Sequence, residues 1–491
     1  MSETNNAAGR MPRRRPLAWL LLCTIATALA MVVNVSTSVA SMRPADTSDS
    51  LPPAVLTPVD VPGTTAMIAS GVDLARYGYT EREFYAEGQA HRYRGAVTGV
   101  LNTAQVIDGG WNYKTRVLVR YPDRRAFNGT LVVEWANVTT GQDVDFAWAE
   151  SYDYLLREGY AVAVVSAQHV GVDRLKTWSP ARYGTLTVAA DNTDPQTGVT
   201  LDPTHDPLSW DIYTEVSEAL KQDAGPVQPL PGLWVKRVIA MGESQSAGRL
   251  TVYYNTIQPM HGFFDGFVFL DRAGQLRADL PTPAVSVGSE AFSNLVTQEP
   301  ASSQYFRFWD VAGASHASYY AAQYVDSVVV RDKSFVKNGQ IVSFTQLIEP
   351  CTLEPLFSTV ETGLVLNKAI DSVNRWIISG QPAPASVYFA RGPQGQLLRD
   401  ANGQVTGGIR LPQYTVPTDI IDASNSGSLF CALSGHHQPY TAAQLKQMYG
   451  THGHYVALVA ASALGLVRDG YILPYDAAAV IRTAAESDVA R

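Results

Sequence analysis

Seven short apolar runs divide residues 115–311 into regular segments. Residues 115–120 (TRVLVR) alternate apolar and polar positions, which predicts an outer strand. Residues 129–135 (GTLVVEW), 160–166 (YAVAVVS), 235–241 (VKRVIAM), 264–270 (FDGFVFL), 284–287 (AVSV) and 306–311 (FRFWDV) are richer in consecutive apolar and β-branched side chains. That pattern belongs to strands buried on both faces of a parallel sheet. Between these runs the period becomes helical. Residues 146–158 read as a helix closed by Gly159, and Ile212, Val216, Ala219 and Leu220 share one face of another. Leu250, Tyr253, Tyr254 and Ile257 do the same in a third. Strands alternating with helices predict a doubly wound, mostly parallel α/β sheet.

Two segments break the alternation. Residues 171–232 are long, rich in Pro, Asp and Trp, and separate two strands. A long insertion at that place reads as a lid, with Trp178, Tyr183 and Trp210 expected to shape a pocket. Residues 331–491 follow the last strand. They hold a helix with Leu366, Ala369, Ile370, Val373 and Ile377 on one face, a Gly-rich stretch, and more helix near 441–465. No Pro/Ser linker sets them apart, so residues 54–491 are expected to form one domain with 331–491 packed on its core.

The N-terminus has another character. Arg10, Arg13, Arg14 and Arg15 precede an apolar run over 17–33, and Ser38-Val39-Ala40 offers small residues at a cleavage site. Residues 1–40 therefore read as a secretory leader, and polar residues 41–53 as a flexible tether. A membrane contact is expected only through this segment, if it stays uncleaved. The expected location is outside the cell or in its envelope.

Charge narrows the partners. The whole chain carries a net charge of −8. Without residues 1–40, which hold four arginines and one glutamate, 33 basic and 44 acidic residues leave −11. An acidic chain with no basic run is a poor nucleic-acid binder. Of its three cysteines, Cys23 falls in the leader. Cys351 and Cys431 remain as an even pair, and in an exported chain they are expected to form a disulfide. No Cys/His group has zinc spacing, and no metal or organic cofactor is expected.

The candidate chemistry lies at Gly242-Glu243-Ser244-Gln245-Ser246. It directly follows the 235–241 strand and precedes the Leu250/Tyr253 helix. Strand, sharp turn and helix are the setting in which a serine is pushed out at the end of a sheet as a nucleophile. Gly242 supplies the small residue before the turn, and Ser246 stands where glycine is usual. A serine hydroxyl needs a base to take its proton, and in this setting the chain order is Ser, acid, His. His316 lies in a small-residue loop after the 306–311 strand and is the expected base. Glu290, at the end of the 284–287 strand, is the expected acid, with Asp271 and Asp310 as competitors. Asp271 precedes Arg272, which suggests a surface ion pair instead. The oxyanion donors should be the backbone N–H of Gln245 and that of Asn137 or Val138, from the loop after GTLVVEW.

GESQSAGRL resembles the elbow of a bacterial family known as the alpha/beta-hydrolase domain proteins. YTEREFYAEGQAHRY, LVVEWANVTTGQD, WSPARYG, VAGASHA, GGIRLPQYTVPT and YGTHGHYVALV resemble its recurring blocks, in order, over nearly the whole chain after the leader. The resemblance implies an α/β-hydrolase fold, an exported esterase-type activity, and Ser244, Glu290 and His316 at the triad positions. It implies no substrate. The expected function is a secreted serine hydrolase of small-molecule or lipid-like carboxylic esters. An amidase or peptidase with the same triad, or a catalytically silent binding protein of the envelope, are the alternatives.

Overall fold

The apolar runs become neighbouring strands of one nine-stranded sheet. The strands are β1 (Val55–Pro58), β2 (Tyr79–Arg94), β3 (Gln105–Pro122), β4 (Thr130–Trp135), β5 (Ala161–Val165), β6 (Arg237–Glu243), β7 (Gly266–Leu270), β8 (Ala284–Ser289) and β9 (Phe306–Val311). Their spatial order is β1-β2-β3-β5-β4-β6-β7-β8-β9. The pairs β1/β2, β2/β3 and β3/β5 are antiparallel, and every pair from β5 onward is parallel. The computed structural model describes residues 53–222, 227–296 and 303–491. The expected leader over 1–40 and the tether up to residue 52 lie outside the described residues. Among the described residues, no helix is long and apolar enough to cross a membrane.

Register fixes what stands at the rim of the sheet. Glu243 pairs with Leu270, Leu270 with Val287, and Ser289 with Val311. The C-terminal ends of β6, β7, β8 and β9 are therefore level. Ser244, Asp271 and Glu290 follow three of those ends, and the loop holding His316 follows the fourth. Ligand sites of open α/β sheets lie outside the carboxyl ends of the strands.

The expected outer strand differs in one respect. Residues 115–120 belong to the longer β3, and residues 115–122 are buried on both faces. The polar positions of the alternation are Arg116 and Arg120, which do not face water. Arg116 lies 3.2 Å from Asp143, while Arg120 lies 2.8 Å from Glu81 and 2.7 Å from Asp145. The Arg120 guanidinium also rests 4.3 Å from the Trp148 ring. Asp143 and Asp145 end the loop that follows β4, so buried charge pairs pin that loop to the sheet. Glu134 of β4 adds to this by accepting from Ala147 N and Trp148 N, both at 2.9 Å. Its carboxylate thereby caps α1 (Phe146–Arg157), whose first N–H groups have no acceptor within the helix.

The 171–232 insertion contains parts of α2 (His169–Trp178) and α3 (Ser209–Gln222). It lies over β2 and beside α4 (Gln245–Val252). Arg182 is paired with Glu83, and Trp178 donates to Asp332 O at 2.9 Å. α5 (Glu290–Leu295) joins β8 toward β9, and α6 (Tyr319–Asp332) and α7 (Gly363–Ser379) follow β9. The apolar face read at Leu366, Ala369, Ile370 and Val373 is buried. Gly266 lets α7 approach β7, since a Cβ there would stand 2.5 Å from Val373 Cγ1. Farther along, Val387 and Ile409 bridge in parallel to Trp309 and Val311, so the C-terminal segment extends the edge at β9.

Removing Arg120 would strand two acidic groups. Arg120→Met is expected to lower stability by about 3–5 kcal/mol, because a buried pair loses one partner and leaves the other uncompensated. Urea unfolding of the variant and the wild type measures the difference.

Candidate active site

β6 ends at Glu243 and α4 begins at Gln245, leaving Ser244 alone in the turn. Its backbone has φ 55° and ψ −114°. A non-glycine residue held there stores about 1–3 kcal/mol of strain, which the surroundings must overdetermine. They do so by hydrogen bonds. Ser244 N donates to Leu270 O at 2.8 Å, and Gly248 N donates to Ser244 O at 2.9 Å. Ser246 Oγ accepts from Glu243 N at 3.0 Å and donates to Glu243 O at 2.9 Å. Ser246 is thus more than a small stand-in for glycine, since its hydroxyl fastens the turn. Gly242 is needed for close approach, as a Cβ there would lie 3.0 Å from Leu250 Cδ1 and 3.1 Å from Ala247 N.

The structure brings Ser244 and His316 together and replaces the expected acid. His316 Nε2 is 2.7 Å from Ser244 Oγ, and His316 Nδ1 is 2.5 Å from Asp271 Oδ2. Asp271 is fully buried, with a left-handed φ of 52°, and Ser289 holds both its oxygens. Ser289 N donates to Oδ1 at 2.5 Å and Ser289 Oγ donates to Oδ2 at 2.6 Å. Glu290 points elsewhere. Ser289 caps α5, so Glu290 is already its first residue. Its carboxylate accepts from Gly313 N at 2.8 Å and pairs with Arg399 at 2.8 Å. It supports the loop carrying His316 without touching the imidazole. The surface ion pair suggested for Asp271 and Arg272 also fails to form. Arg272 is buried with its guanidinium 4.9 Å from the Phe306 ring, and burial pushes its pKa down to about 10. Asp310 accepts from Ser293 Oγ and Phe389 N and takes no part. Among the later histidines, His437 bonds to Phe357 O, His452 to Val489 O and His454 to Tyr449 O.

One further carboxylate reaches the imidazole. Glu243 Oε1 lies 3.0 Å from His316 Nε2. Burial alone would lower the His316 pKa, but the charge of Glu243 and the hydrogen bond and charge of Asp271 reverse this and push it up to about 10. The Phe292 ring stacks on the imidazole at 5.2 Å.

The oxyanion candidates divide. Asn137 N already donates to Val144 O at 3.0 Å, which removes it as a donor for a ligand. Its side chain instead donates to Glu243 O and Oε2 at 2.9 and 2.7 Å. Val138 N makes only a long contact, 3.3 Å, with Gln245 Oε1. Gln245 N is at the first position of α4, where backbone N–H groups have no partner within the helix.

A cleft opens in front of Ser244 and His316. Its apolar wall comes from Phe146, Phe344, Ile348, Phe357, Phe430 and Leu433. Five of these six belong to the C-terminal extension. None belongs to the 171–232 insertion, so Trp178, Tyr183 and Trp210 do not shape this pocket. Trp210 lies instead with its ring 3.9 Å from the Arg249 guanidinium, behind α4. A disulfide joins Cys351 and Cys431 and staples together the two segments that form the wall.

A family model described as the alpha/beta hydrolase domain matches residues 47–482. The chain belongs to this alpha/beta hydrolase family. Three solved structures are similar to parts of it. They are the rice cell wall degrading esterase LipA from Xanthomonas oryzae (10% identity, 45% of this chain and 50% of that one, TM-score 0.24), esterase Est22 with p-nitrophenol (11%, 43% and 64%, 0.25), and acetyl xylan esterase 1 from Thermoanaerobacterium sp. JW/SL YS485 (12%, 45% and 53%, 0.25). The chain thus spans between half and two thirds of the length of these proteins. No curated protein matches it.

In this alpha/beta hydrolase, sequence reading passed over Glu243 and the residues of the pocket wall. Glu243 could have been noticed, because it adjoins the nucleophile candidate at the end of a buried strand. The wall residues are separated from Ser244 by a hundred positions or more, apart from Phe146, and carry no local signal. The Cys351–Cys431 disulfide ties together the two later segments of the wall. Replacing Cys351 and Cys431 together by serine is expected to lower stability by roughly 2–4 kcal/mol, read as a lower thermal midpoint under non-reducing conditions.

Proposed function

We propose that the protein is an exported serine hydrolase of carboxylic esters. The observation that carries this reading is the unbroken hydrogen-bond chain Asp271–His316–Ser244 at one edge of an apolar cleft. In the proposed reaction, His316 Nε2 takes the proton of Ser244 as Oγ attacks the ester carbonyl carbon. The carbonyl electron pair moves to oxygen, which accepts from Val138 N and Gln245 N after displacing the Gln245 side chain from Val138 N. His316 then gives its proton to the leaving alkoxide as the C–O bond breaks. Water, deprotonated by His316, attacks the acyl-enzyme carbonyl; the Ser244 Oγ–C bond then breaks as His316 returns its proton to Oγ, releasing the acid product and the neutral imidazole. Asp271 holds the imidazole tautomer and faces the positive charge that forms.

Chemistry of the cleft supports an apolar acyl or alcohol group. Each methylene buried against Phe146, Phe344, Ile348 and Phe357 adds about 0.8 kcal/mol of binding. The Cys351–Cys431 bridge fits an oxidising compartment, in keeping with a leader over residues 1–40.

A fluorophosphonate probe should label Ser244 stoichiometrically, and p-nitrophenyl butyrate should be hydrolysed faster than the acetate. Absence of labelling in the folded protein would sink the enzyme reading. The acid is tested by mutation. Asp271→Asn should reduce kcat by roughly 10⁴-fold, while Glu290→Gln should keep kcat within about tenfold and lower thermal stability instead.

A further inference from the structure

The proposed reaction gives Glu243 no task, yet its side chain occupies a demanding place. It is buried, with 6% of its surface exposed, at the last position of β6. Oε2 accepts from Asn137 Nδ2 at 2.7 Å, which aims Oε1 at His316 Nε2, 3.0 Å away. That nitrogen therefore has two oxygen neighbours, Ser244 Oγ at 2.7 Å and Glu243 Oε1 at 3.0 Å. The other ring nitrogen faces Asp271 at 2.5 Å. A neutral imidazole carries one N–H, whereas imidazolium carries two. Only the charged ring can donate to a carboxylate at each end.

β6 and its turn present Glu243 and Ser244, the residue after β7 presents Asp271, and α5 presents the Phe292 ring. α1 contributes Glu150 at one remove. Its carboxyl accepts from Ser318 N and Ser318 Oγ, both at 2.9 Å, and burial pushes its pKa up to about 7. His316 N donates to Leu433 O at 2.9 Å.

We propose that Glu243 is a second catalytic carboxylate of this hydrolase, accepting from the Nε2–H of the His316 imidazolium and stabilising it against loss of its proton. The proposal rests on the Ser244–His316 reading above. Glu243 accepts a hydrogen bond and takes no proton over the cycle. The proton leaves Ser244 Oγ as the Oγ–C bond forms, resides on Nε2, and passes to the leaving alkoxide. Two consequences oppose each other. Glu243 stabilises the imidazolium that forms as Ser244 attacks, which raises the rate once His316 starts neutral. It also keeps the resting ring charged at neutral pH, and a charged ring cannot act as a base. The neutral form grows only as pH rises toward the elevated His316 pKa, so activity rises through the alkaline range.

The test compares kcat/KM for a p-nitrophenyl ester in the wild type and Glu243→Gln, from about pH 5 to about pH 10. Removing a negative charge 3.0 Å from Nε2 should move the acid limb down by about one pH unit or more. The two profiles should cross, with the variant faster on the acid side and slower on the alkaline plateau. Glu243→Asp, which keeps the charge, should keep a wild-type-like limb. A purely structural role would depress the rate at every pH and leave the limb in place, and that result would overturn the proposal. Ring-nitrogen NMR of the ¹⁵N-histidine-labelled full chain reads His316 without any substrate. A His316 midpoint near the ordinary value of about 6.5 in the wild type would overturn the proposal even if Glu243→Gln did not fold. Absent ester hydrolysis with a lowered His316 midpoint in Glu243→Gln would instead remove the hydrolase reading and keep the Glu243–His316 coupling.

Discussion

Ser244 sits at φ 55° and ψ −114°, and the architecture around it exists to hold that turn. A strand feeding directly into a helix leaves one residue to reverse direction. The reversal is tolerated because Gly242 lets α4 press against β6, and because Ser246 Oγ bonds both the N–H and the carbonyl of Glu243. The strain projects Oγ past the rim of the sheet, where the level ends of β7 and β9 bring Asp271 and His316 to meet it. A turn held less firmly would let Oγ drift from Nε2, and the contact at 2.7 Å is the one on which the proposed chemistry turns.

Buried charge does the positioning on the opposite side of the cleft. The loop after β4 carries Asn137 and Val138, and its far end is fixed by Arg116–Asp143 and Arg120–Asp145. Such pairs add little net stability against an apolar alternative, because desolvation offsets their attraction. Their value here is geometric. A guanidinium with its donors in a fixed fork locates a carboxylate more narrowly than an apolar contact would. The same loop orients Glu243 through Asn137 Nδ2, so the backbone of Val138 and the imidazole of His316 share one support.

The wall of the cleft is assembled from another part of the chain. Phe344, Ile348 and Phe357 approach Phe430 and Leu433 across the Cys351–Cys431 bridge. The segments that wall the cleft are thereby separate in the chain from the sheet that carries Ser244, Asp271 and His316. Variation in the C-terminal extension could alter which substrates fit without disturbing the Ser244 turn.

The α/β sheet, the strand–turn–helix around Ser244 and the loop carrying His316 were legible from the chain alone. Each is local: a β-branched run, a small residue before a serine, a helix behind it. Cys351 and Cys431 were readable as a pair because only two cysteines remain after Cys23. Which carboxylate meets His316 was not readable, since Asp271 and Glu290 both follow strands. Tertiary structure decided between them, because Ser289 clamps Asp271 toward His316 while starting the helix that turns Glu290 toward Gly313 N and Arg399. The surroundings of Arg116 and Arg120 were likewise not readable from alternation, because their acidic partners are distant in sequence and meet them only in the fold. Periodicity reports which side chains share a face, and only the packed chain decides what that face meets.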